Sequence, residues 1–336
     1  MKIFIINNHP SDALGGSEMQ CDLIARGLTE RGHEVIYVAV GKNHKEEYPG
    51  LPYTVLPLPI KKRGALSQML QQEKPDVIYW RYNKNYLKRA VSDSNKERVP
   101  FVFAVSNVND TRKYPSINPT ITSDLKSQIR LLTLTVINQM KSRWNYEAFK
   151  HVDAVTLLNS EYFGKLPVKN QRVIWNSVTD TRKHFEWKRP FCVWIANIKP
   201  QKQPEMYLKL ASIAEEKLPN IDFLMIGAIQ NEQYRSILHN AEQMENFYYL
   251  GFQQPEIVNG VLEKAICLVH TCKPEGFGNN FIQAWMQGCP TISLEFDPDN
   301  LIQKEKLGFL SGTVEQMAND VESLVYNNRL RNEIGN

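Results

Sequence analysis

Short runs of β-branched and aromatic residues alternate with longer amphipathic segments along the first half of the chain. The amphipathic segment 17–31, for example, places Met19, Leu23 and Leu28 on one face. Such alternation predicts a mostly parallel sheet covered by helices on both faces. The strand-like runs are 2–6, 34–40, 76–80, 101–105, 154–158 and 172–175.

The alternation of strand-like runs and amphipathic segments begins again near residue 190. A helical segment runs from about Pro204 to Glu216, and the stretch 179–190 between the two series is polar and charged, without periodicity. With 336 residues, the chain is long enough for two α/β domains. We therefore predict domains 1–178 and 191–336, joined by a linker at 179–190. The second set of strand-like runs is 191–195, 222–226, 247–250, 267–270 and 290–294.

The composition, 42% hydrophobic and 23% charged, is typical of a folded globular protein and excludes disordered and fibrous classes. The first strand begins at once, so we expect no signal peptide, and no run approaches the roughly 18 apolar residues of a membrane span. The five cysteines are an odd number without a C-x-x-C pair, which favours free thiols and a cytoplasmic location over disulfides or a zinc site.

The net charge of +4 is distributed unevenly. Residues 1–175 carry 25 Lys and Arg against 16 Asp and Glu, hence +9, whereas residues 176–336 carry 15 against 20, hence −5. A basic first half favours an anionic partner. Nucleic acid is disfavoured, because the basic residues, including the cluster from Arg81 to Arg98, form no helix with interleaved aromatic residues.

One long predicted helix, 126–150, interrupts the alternation. It carries apolar residues near helical spacing together with Arg130, Lys141, Arg143 and Lys150. Two interpretations remain open: a packed apolar stripe with a solvated basic face, or a surface for peripheral contact with anionic lipid headgroups. The apolar positions are Ile129, Leu132, Val136, Met140 and Trp144.

Two glycine-containing loops follow predicted strands. In the first, Gly15 and Gly16 precede Ser17, which we expect to cap a helix whose N-terminal amides could receive a phosphate. This loop matches neither the dinucleotide fingerprint nor a P-loop. The second, 274–280, includes Glu275 beyond the end of a strand, where open α/β sheets bind ligands. Gln283 follows in the second turn of the next predicted helix.

Together these segments resemble the family-four retaining glycosyltransferases, which have the GT-B fold, and the resemblance covers nearly the whole chain. Glu275 resembles the first glutamate of the family's two-glutamate motif, which contacts the transferred sugar. Lys202 matches the lysine that neutralises the donor diphosphate, and Asn176 resembles an asparagine near the hinge. The Gly15–Gly16 loop resembles the family's glycine loop beside the donor phosphates.

The chain departs from the family pattern in several places. Gln283 replaces the second glutamate, which holds the donor ribose, and Asn197 replaces an arginine, with Lys199 as a possible substitute. The segment 106–109 offers no counterpart to a first-domain histidine, and Ser177 stands where glycine is usual. The end of the chain, 329–335, resembles the start of a segment leading into a last crossover helix, so we expect that helix to be lacking or cut off.

The resemblance implies an α/β protein of two Rossmann-like domains facing across a cleft. It further implies transfer of a sugar from a UDP- or GDP-linked donor to a glycan or lipid-linked acceptor, in cell-surface polysaccharide or lipopolysaccharide synthesis, without cofactor or metal. We interpret Asp297-Pro-Asp299 as a loop rather than a metal site. The catalytic residues expected are Glu275 and Lys202, and the donor-binding residues are Gly15, Gly16, Asn197, Lys199, Gly276, Phe277, Gly278, Asn279, Asn280 and Gln283.

Two alternatives remain. The chain could be another GT-B enzyme, such as a sugar epimerase or an inverting transferase. From a different class, it could be a degenerate protein that binds a nucleotide sugar or glycan without catalysis, which Gln283 and Asn197 would favour. A nicotinamide oxidoreductase is disfavoured by the missing glycine fingerprint.

Overall fold

A computed structural model describes residues 1–12, 15–40, 48–114, 125–273 and 276–335, without the side chains of 125–129. The chain divides into two compact units, Met1–Asn176 and Ser177–Asn336. Each unit is built on one parallel sheet.

The sheet of the first unit has the strand order β3-β2-β1-β4-β5-β6-β7 in the described part of the chain, with every pairing parallel. Its strands are β1 (Lys2–Asn7), β2 (Glu34–Ala39), β3 (Thr54–Pro57), β4 (Val77–Trp80), β5 (Phe101–Ala104), β6 (Ala154–Leu157) and β7 (Asn170–Val173). Its helices are α1 (Gly16–Glu30), α2 (Ala65–Glu73), α3 (Leu87–Glu97) and α4 (Leu125–Tyr146).

Strand β1 is apolar at successive positions because helices cover both faces of the sheet. Phe4 and Ile6 point into the larger core cluster of the unit, whereas Ile5 points to the opposite face, where it packs with Cys21 and Ala25 of α1. Alternate residues of a strand face opposite sides, so a continuous hydrophobic run is required when both sides are buried.

The sheet of the second unit has the described order β10-β9-β8-β11-β12-β13, again with parallel pairings only. The fold predicted from the sequence, two Rossmann-like α/β domains, is thereby confirmed. The strands are β8 (Phe191–Ile195), β9 (Asp222–Ile226), β10 (Phe247–Tyr249), β11 (Leu268–His270), β12 (Thr291–Ser293) and β13 (Gly308–Leu310). The helices are α5 (Pro204–Lys217), α6 (Gln233–Ala241), α7 (Pro255–Lys264), α8 (Asn279–Met286), α9 (Leu301–Lys304), α10 (Val314–Tyr326) and α11 (Asn328–Gly335).

The stretch 179–190, which the sequence predicts as a linker, packs on the second unit. Phe185 and Trp187 stack with ring centroids 6.2 Å apart and join a core cluster of that unit. The Trp187 indole N–H donates to the buried Asp222 carboxylate over 2.8 Å. Two half-buried aromatic residues within a polar stretch thus attach it to the domain that follows.

Gly260 of α7 lies directly beneath this stretch, and a Cβ at that position would sit 1.9 Å from the carbonyl oxygen of Lys183. We expect Gly260→Ala to lower the free energy of unfolding by roughly 2 to 4 kcal/mol, because backbone atoms must separate. Urea denaturation followed by circular dichroism measures this. The control is Gly27→Ala in α1, where the nearest atom is 3.5 Å away; it should stabilise by up to about 1 kcal/mol. Equal effects of the two substitutions would contradict the packing.

Helix α4 does not pack its apolar stripe, contrary to the first interpretation of this segment. Leu132, Met140 and Trp144 are 65%, 67% and 62% exposed. The side that packs instead carries the buried Ser142 and Asn145, and the Asn145 side-chain oxygen accepts the backbone N–H of Lys88 over 3.1 Å. Periodicity identified the stripe but not the direction in which it points. No helix in the described ranges is long and apolar enough to cross a membrane.

Candidate functional site

The strand order of the second unit reverses between β8 and β11. From β8 the chain proceeds to β9 and β10 on one side of the sheet, and β11 to β13 lie on the other. At such a switch point the loops at the carboxyl ends diverge and leave a crevice, where open parallel sheets bind their ligands. The loop after β8 and the loop after β11 therefore frame the expected site.

These two loops are bound to each other through one buried side chain. The Thr271 hydroxyl, just beyond β11, lies 2.9 and 3.0 Å from the carbonyl oxygens of Lys202 and Gln203. It also accepts the indole N–H of Trp194 over 2.9 Å. Because the hydroxyl is fully buried, it fixes the backbone that carries Lys202 against the end of β11. Lys199 begins the same short 3-10 turn, and both lysine residues are half-buried.

Gly227 brings the ends of β8 and β9 together on the other side of Lys202's loop. Its φ is +155°, and a Cβ there would lie 1.7 Å from the carbonyl oxygen of Ala196. Only glycine allows this approach. It places the half-buried Asn197, the next residue after Ala196, against the start of the β9–α6 connection.

Helix α8 begins over the end of β8. Gly278 is its N-cap with φ +85°, and the side-chain amide of Asn280 donates to the backbone carbonyl oxygen of Ile195 over 3.0 Å. Backbone amides at a helix N-terminus can receive an anion or sugar hydroxyls. Phe277 is only 2% exposed, so its predicted contact with a donor would have to use its backbone.

Gln283 is already engaged by the protein. Its amide nitrogen donates to the side-chain oxygen of Asn259 over 3.1 Å, and the side-chain amide of Asn259 donates in turn to the backbone carbonyls of Thr179 and Thr181, each over 2.9 Å. This chain of hydrogen bonds fixes the orientation of Gln283. The carbonyl oxygen Oε1 is the atom that this contact does not use, and it can accept a hydroxyl.

The structure thus brings Asn197, Lys199 and Lys202 together with the start of α8 around one switch point. Pro274 and Glu275 lie outside the described residues, so the predicted role of Glu275 stays a prediction. Gly276 is buried, and Asn279 is half-buried at the first position of α8.

In the first unit the order reverses between β1 and β4, and the glycine loop lies at that switch point. Helix α1 begins at Gly16, with Gly15 as N-cap and no side-chain cap. The expectation that Ser17 caps the helix is wrong, because Ser17 lies inside the first turn. Its hydroxyl instead accepts the amide of Asn7 at the end of β1 over 3.0 Å.

Arg81, which the sequence analysis counted only as part of a basic cluster, stands at the same switch point, directly after β4. It is 5% exposed, and it donates to the side-chain oxygen of Asn176 over 2.8 Å. Its Nε finds no acceptor in the described part of the chain. A buried cation with an unused donor at a carboxyl edge suits an anionic group. Its position one residue beyond a predicted strand was the feature of the sequence that could have identified Arg81 as a candidate site residue.

The segment 106–109, where the family has a histidine, forms a capped turn. The buried carboxylate of Asp110 accepts the backbone N–H groups of Ser106 and Asn107 over 2.9 and 3.1 Å. Burial raises the pKa of Asp110 despite these bonds. Burial likewise lowers the pKa of Lys84 to about 8, with Asp110 opposing the shift, and its ammonium donates to the carbonyl of Asn109 over 2.8 Å. These groups hold the turn in place.

The Asp297-Pro-Asp299 sequence serves as a helix start. The Asp297 carboxylate accepts the backbone N–H groups of Ile302 and Gln303, in α9, over 2.8 and 3.2 Å. Over the described ranges, no group of three His, Cys, Asp or Glu residues is arranged to hold a metal. The five cysteines are buried free thiols.

A wide concavity of about 1390 Å³ lies elsewhere in the second unit, among Pro190, Ile266 and Pro290. These residues precede β8, β11 and β12, so the concavity lies at the amino ends of the strands. Ligands of open parallel sheets bind at the carboxyl ends, and we therefore assign the site to the switch point and not to this concavity.

Comparison with known proteins agrees with this geometry. A protein-family model described as "Glycosyl transferases group 1" matches residues 178–336. No curated protein sequence matches the chain significantly.

Solved structures of the same fold include a mutant of S. aureus TarM in complex with fondaparinux, α-GlcNAc-glycerol and UDP. It is 11% identical, with a TM-score of 0.75 over 99% of this chain and 94% of that one. WaaG, a glycosyltransferase involved in lipopolysaccharide biosynthesis, is 13% identical, with a TM-score of 0.71 over 100% and 93%. The pneumococcal O-GlcNAc transferase GtfA, in complex with UDP and GlcNAc, is 12% identical, with a TM-score of 0.68 over 100% and 95%.

At these identities the structural matches establish the fold, and the family model supplies the activity class. Residues 178–336 therefore form a group 1 glycosyltransferase domain, and the chain has the two-domain GT-B fold of known glycosyltransferases.

Proposed function

We propose that this enzyme transfers a hexose from a UDP- or GDP-linked donor to a glycan or lipid-linked acceptor, with retention of configuration and without a metal or cofactor. The observation that carries the proposal is the fixed arrangement at the β8–β11 switch point. There, Thr271 holds the loop of Lys199 and Lys202 beside the residues that lead to α8.

The difficult step is departure of the nucleoside diphosphate as the bond between the anomeric carbon and the phosphate oxygen breaks. Negative charge then collects on the diphosphate, and preorganised cations and amides lower the barrier most effectively. Lys202 and Lys199 supply cations, and the first turn of α8 supplies backbone amides. We assign Glu275 to contact with the transferred sugar, as the family resemblance implies.

Gln283 orients the donor through its Oε1 in this proposal. Its amide nitrogen is held by Asn259, so a ribose or sugar hydroxyl would donate to the carbonyl oxygen. A neutral acceptor gives up the charge-assisted part of the bond that a glutamate would make, about 1 kcal/mol. In the first unit, the Gly15–Gly16 loop and Arg81 would bind an anionic group such as a phosphate of the donor.

For the acceptor class, the proposal is supported by two solved structures of the same fold. WaaG acts in lipopolysaccharide biosynthesis, and the TarM complex contains α-GlcNAc-glycerol. We propose a cell-surface polysaccharide or lipopolysaccharide intermediate. We place the reaction in the cytoplasm, at the membrane periphery, because five buried free thiols suit a reducing compartment and the first unit is basic.

Titration calorimetry with a panel of UDP- and GDP-sugars tests the proposal, followed by donor hydrolysis and acceptor-transfer assays. We expect one nucleotide class to bind and one sugar of that class to be released slowly without acceptor. Tight binding without turnover under any acceptor would instead support the non-catalytic alternative, which the engaged amide of Gln283 and the presence of Asn197 favour. Recovery of an epimerised nucleotide sugar would indicate an epimerase.

A substitution series at position 283 tests the donor contact. We expect Gln283→Glu to keep an acceptor for the hydroxyl but to lose the donor bond to the Asn259 side-chain oxygen, so its donor affinity should fall between those of the wild type and of Gln283→Leu. Gln283→Leu should weaken donor binding by about 1 to 3 kcal/mol. Calorimetry measures both, with Gln253→Leu as a control for loss of an internal amide, since Gln253 donates only to the carbonyl of Leu250 among the bonds described. Equal donor affinities for all variants would place Gln283 outside the site.

A further inference from the structure

The outer face of α4 presents large apolar side chains to solvent. We define this outer face as Leu132, Val136, Ile137, Met140 and Trp144. Four of the five are spaced by four residues and therefore lie one above the other along the helix. Each of those four is more than half exposed, from 54% for Val136 to 67% for Met140. Contiguous exposed apolar groups of this size mark an interaction surface and are unusual as bare surface.

The cations of α4 border this apolar stripe. Arg143 follows Val136 by seven residues, two helical turns, and so lies beside the stripe on one edge. Arg130 and Lys141 precede and follow Ile137 by seven and four residues and border the other edge. All three are exposed. From Leu125 to Tyr146 the helix contains no Asp or Glu.

Trp144 closes the stripe at the end of the helix that is attached to the domain. The Lys88 ammonium lies 4.4 Å from the centre of its ring, and the backbone N–H of Lys88 is bound by Asn145. An amphipathic ring with a cation beside it is the arrangement that favours the boundary between headgroups and acyl chains. The inner side of α4 is thus fixed to α3 through polar contacts, and the outer face is left for another partner.

We propose that the outer face of α4 docks on an anionic lipid bilayer, with the helix lying in the plane of the headgroups. The apolar stripe enters the headgroup and acyl boundary, while Arg130, Lys141 and Arg143 meet lipid phosphates. The first unit carries a net charge of +9, which draws it toward the same surface. Since α4 is not apolar enough to span a membrane, the contact is peripheral and reversible.

A second copy of the chain is the other partner that an apolar face can take. It fits less well, because two such faces in contact would bring Arg130, Lys141 and Arg143 of both copies together without a carboxylate on either α4. Like charges held close at an interface cost affinity. An anionic bilayer provides both an apolar region for the stripe and phosphates for its cations.

Co-sedimentation of the full chain with vesicles tests the docking. Neutral phosphatidylcholine vesicles are compared with vesicles containing phosphatidylglycerol, each at low and high salt. We expect binding to the anionic vesicles at low salt and its loss at high salt, because surface attraction decays within a Debye length of about 8 to 10 Å. Failure to bind anionic vesicles at low salt overturns the proposal.

Two sets of substitutions separate the apolar and charged contributions. The triple variant Leu132→Gln, Val136→Gln, Met140→Gln should bind anionic vesicles at least about tenfold more weakly. The double variant Arg130→Gln, Lys141→Gln should lose roughly fivefold per cation and much of its salt dependence. These side chains are exposed, so the variants should fold, which circular dichroism checks. Matched controls are Phe163→Gln, 62% exposed on the same unit, and Lys169→Gln.

Vesicle binding by the triple variant that equals the wild type overturns the proposal. So does a concentration-dependent dimer of the wild type that the triple variant abolishes, because a second copy would then cover the face. Donor hydrolysis in the absence of vesicles should be the same for wild type and triple variant. This measurement keeps the docking distinct from the proposed transfer reaction: a protein that binds vesicles through α4 but no nucleotide sugar would refute only the latter.

Discussion

Replacing Lys202 by alanine should lower turnover by roughly 10²-fold or more, about 2.7 kcal/mol of transition-state stabilisation. The loop that carries Lys202 is held by Thr271 against the end of β11, so in the proposed reaction a fixed backbone would present the ammonium to the departing diphosphate. Because the charge develops in the transition state, we expect kcat to fall more than donor affinity. Single-turnover transfer and donor hydrolysis assays measure the two effects separately.

Lys264→Ala is the matched control for this substitution. Lys264 ends α7 at the amino-end side of the sheet, away from the switch point, and it is exposed. Its removal changes the net charge of the second unit by the same amount and should leave turnover within about twofold. If a folded Lys202→Ala protein turned over donor at the rate of the Lys264→Ala control, Lys202 would have no part in the reaction.

The substitution Gly227→Ala should cost about 3 to 5 kcal/mol of unfolding free energy. A Cβ at this position would overlap the carbonyl oxygen of Ala196, and φ of +155° is itself unfavourable for alanine. The added clash would separate the ends of β8 and β9, so donor binding should fall together with stability. Urea denaturation and donor calorimetry on the same preparation measure both.

Gly312→Ala provides the control, because Gly312 has φ +74° but no atom within 4 Å of the added Cβ. It should cost only about 1 to 2 kcal/mol from backbone strain and leave donor binding intact. A stability loss at Gly227 no larger than that at Gly312 would show that the close approach to Ala196 is not a constraint on the fold.

The sequence predicted the central strands well and the edges poorly. The runs chosen for β8 and β9, 191–195 and 222–226, coincide with the observed strands, because strands buried on both faces read as continuous apolar runs. Strands β3 and β13 were missed. They are edge strands whose residues are half-buried or exposed, so they lack the continuous apolar run that marks the buried strands.

The features that the sequence did not predict depend on contacts between residues that are far apart in the sequence. Nothing local in the sequence shows that Gln283 is held by Asn259, that Asn176 binds Arg81, or that Phe185 and Trp187 fold back on the second unit. The outer face of α4 illustrates the same limit, because its spacing predicts an apolar stripe in either orientation. Which side packs was decided by Ser142 and Asn145, two polar residues that the hydrophobic pattern ignores.

The attachment of 179–190 to the second unit has a consequence for recombining domains between relatives. Asn176 is bound to the first unit by Arg81, whereas Thr179 and Thr181 are bound to the second by Asn259, so a natural joint falls between 176 and 179. A chimera joined at residue 190 would bring foreign side chains against α7 in place of Phe185 and Trp187, and Asp222 would lose its indole donor. A graft that begins at Ser177 keeps the contacts between 179–190 and the second unit. If the second unit binds the donor as proposed, donor preference could then be exchanged by replacing that unit as a whole.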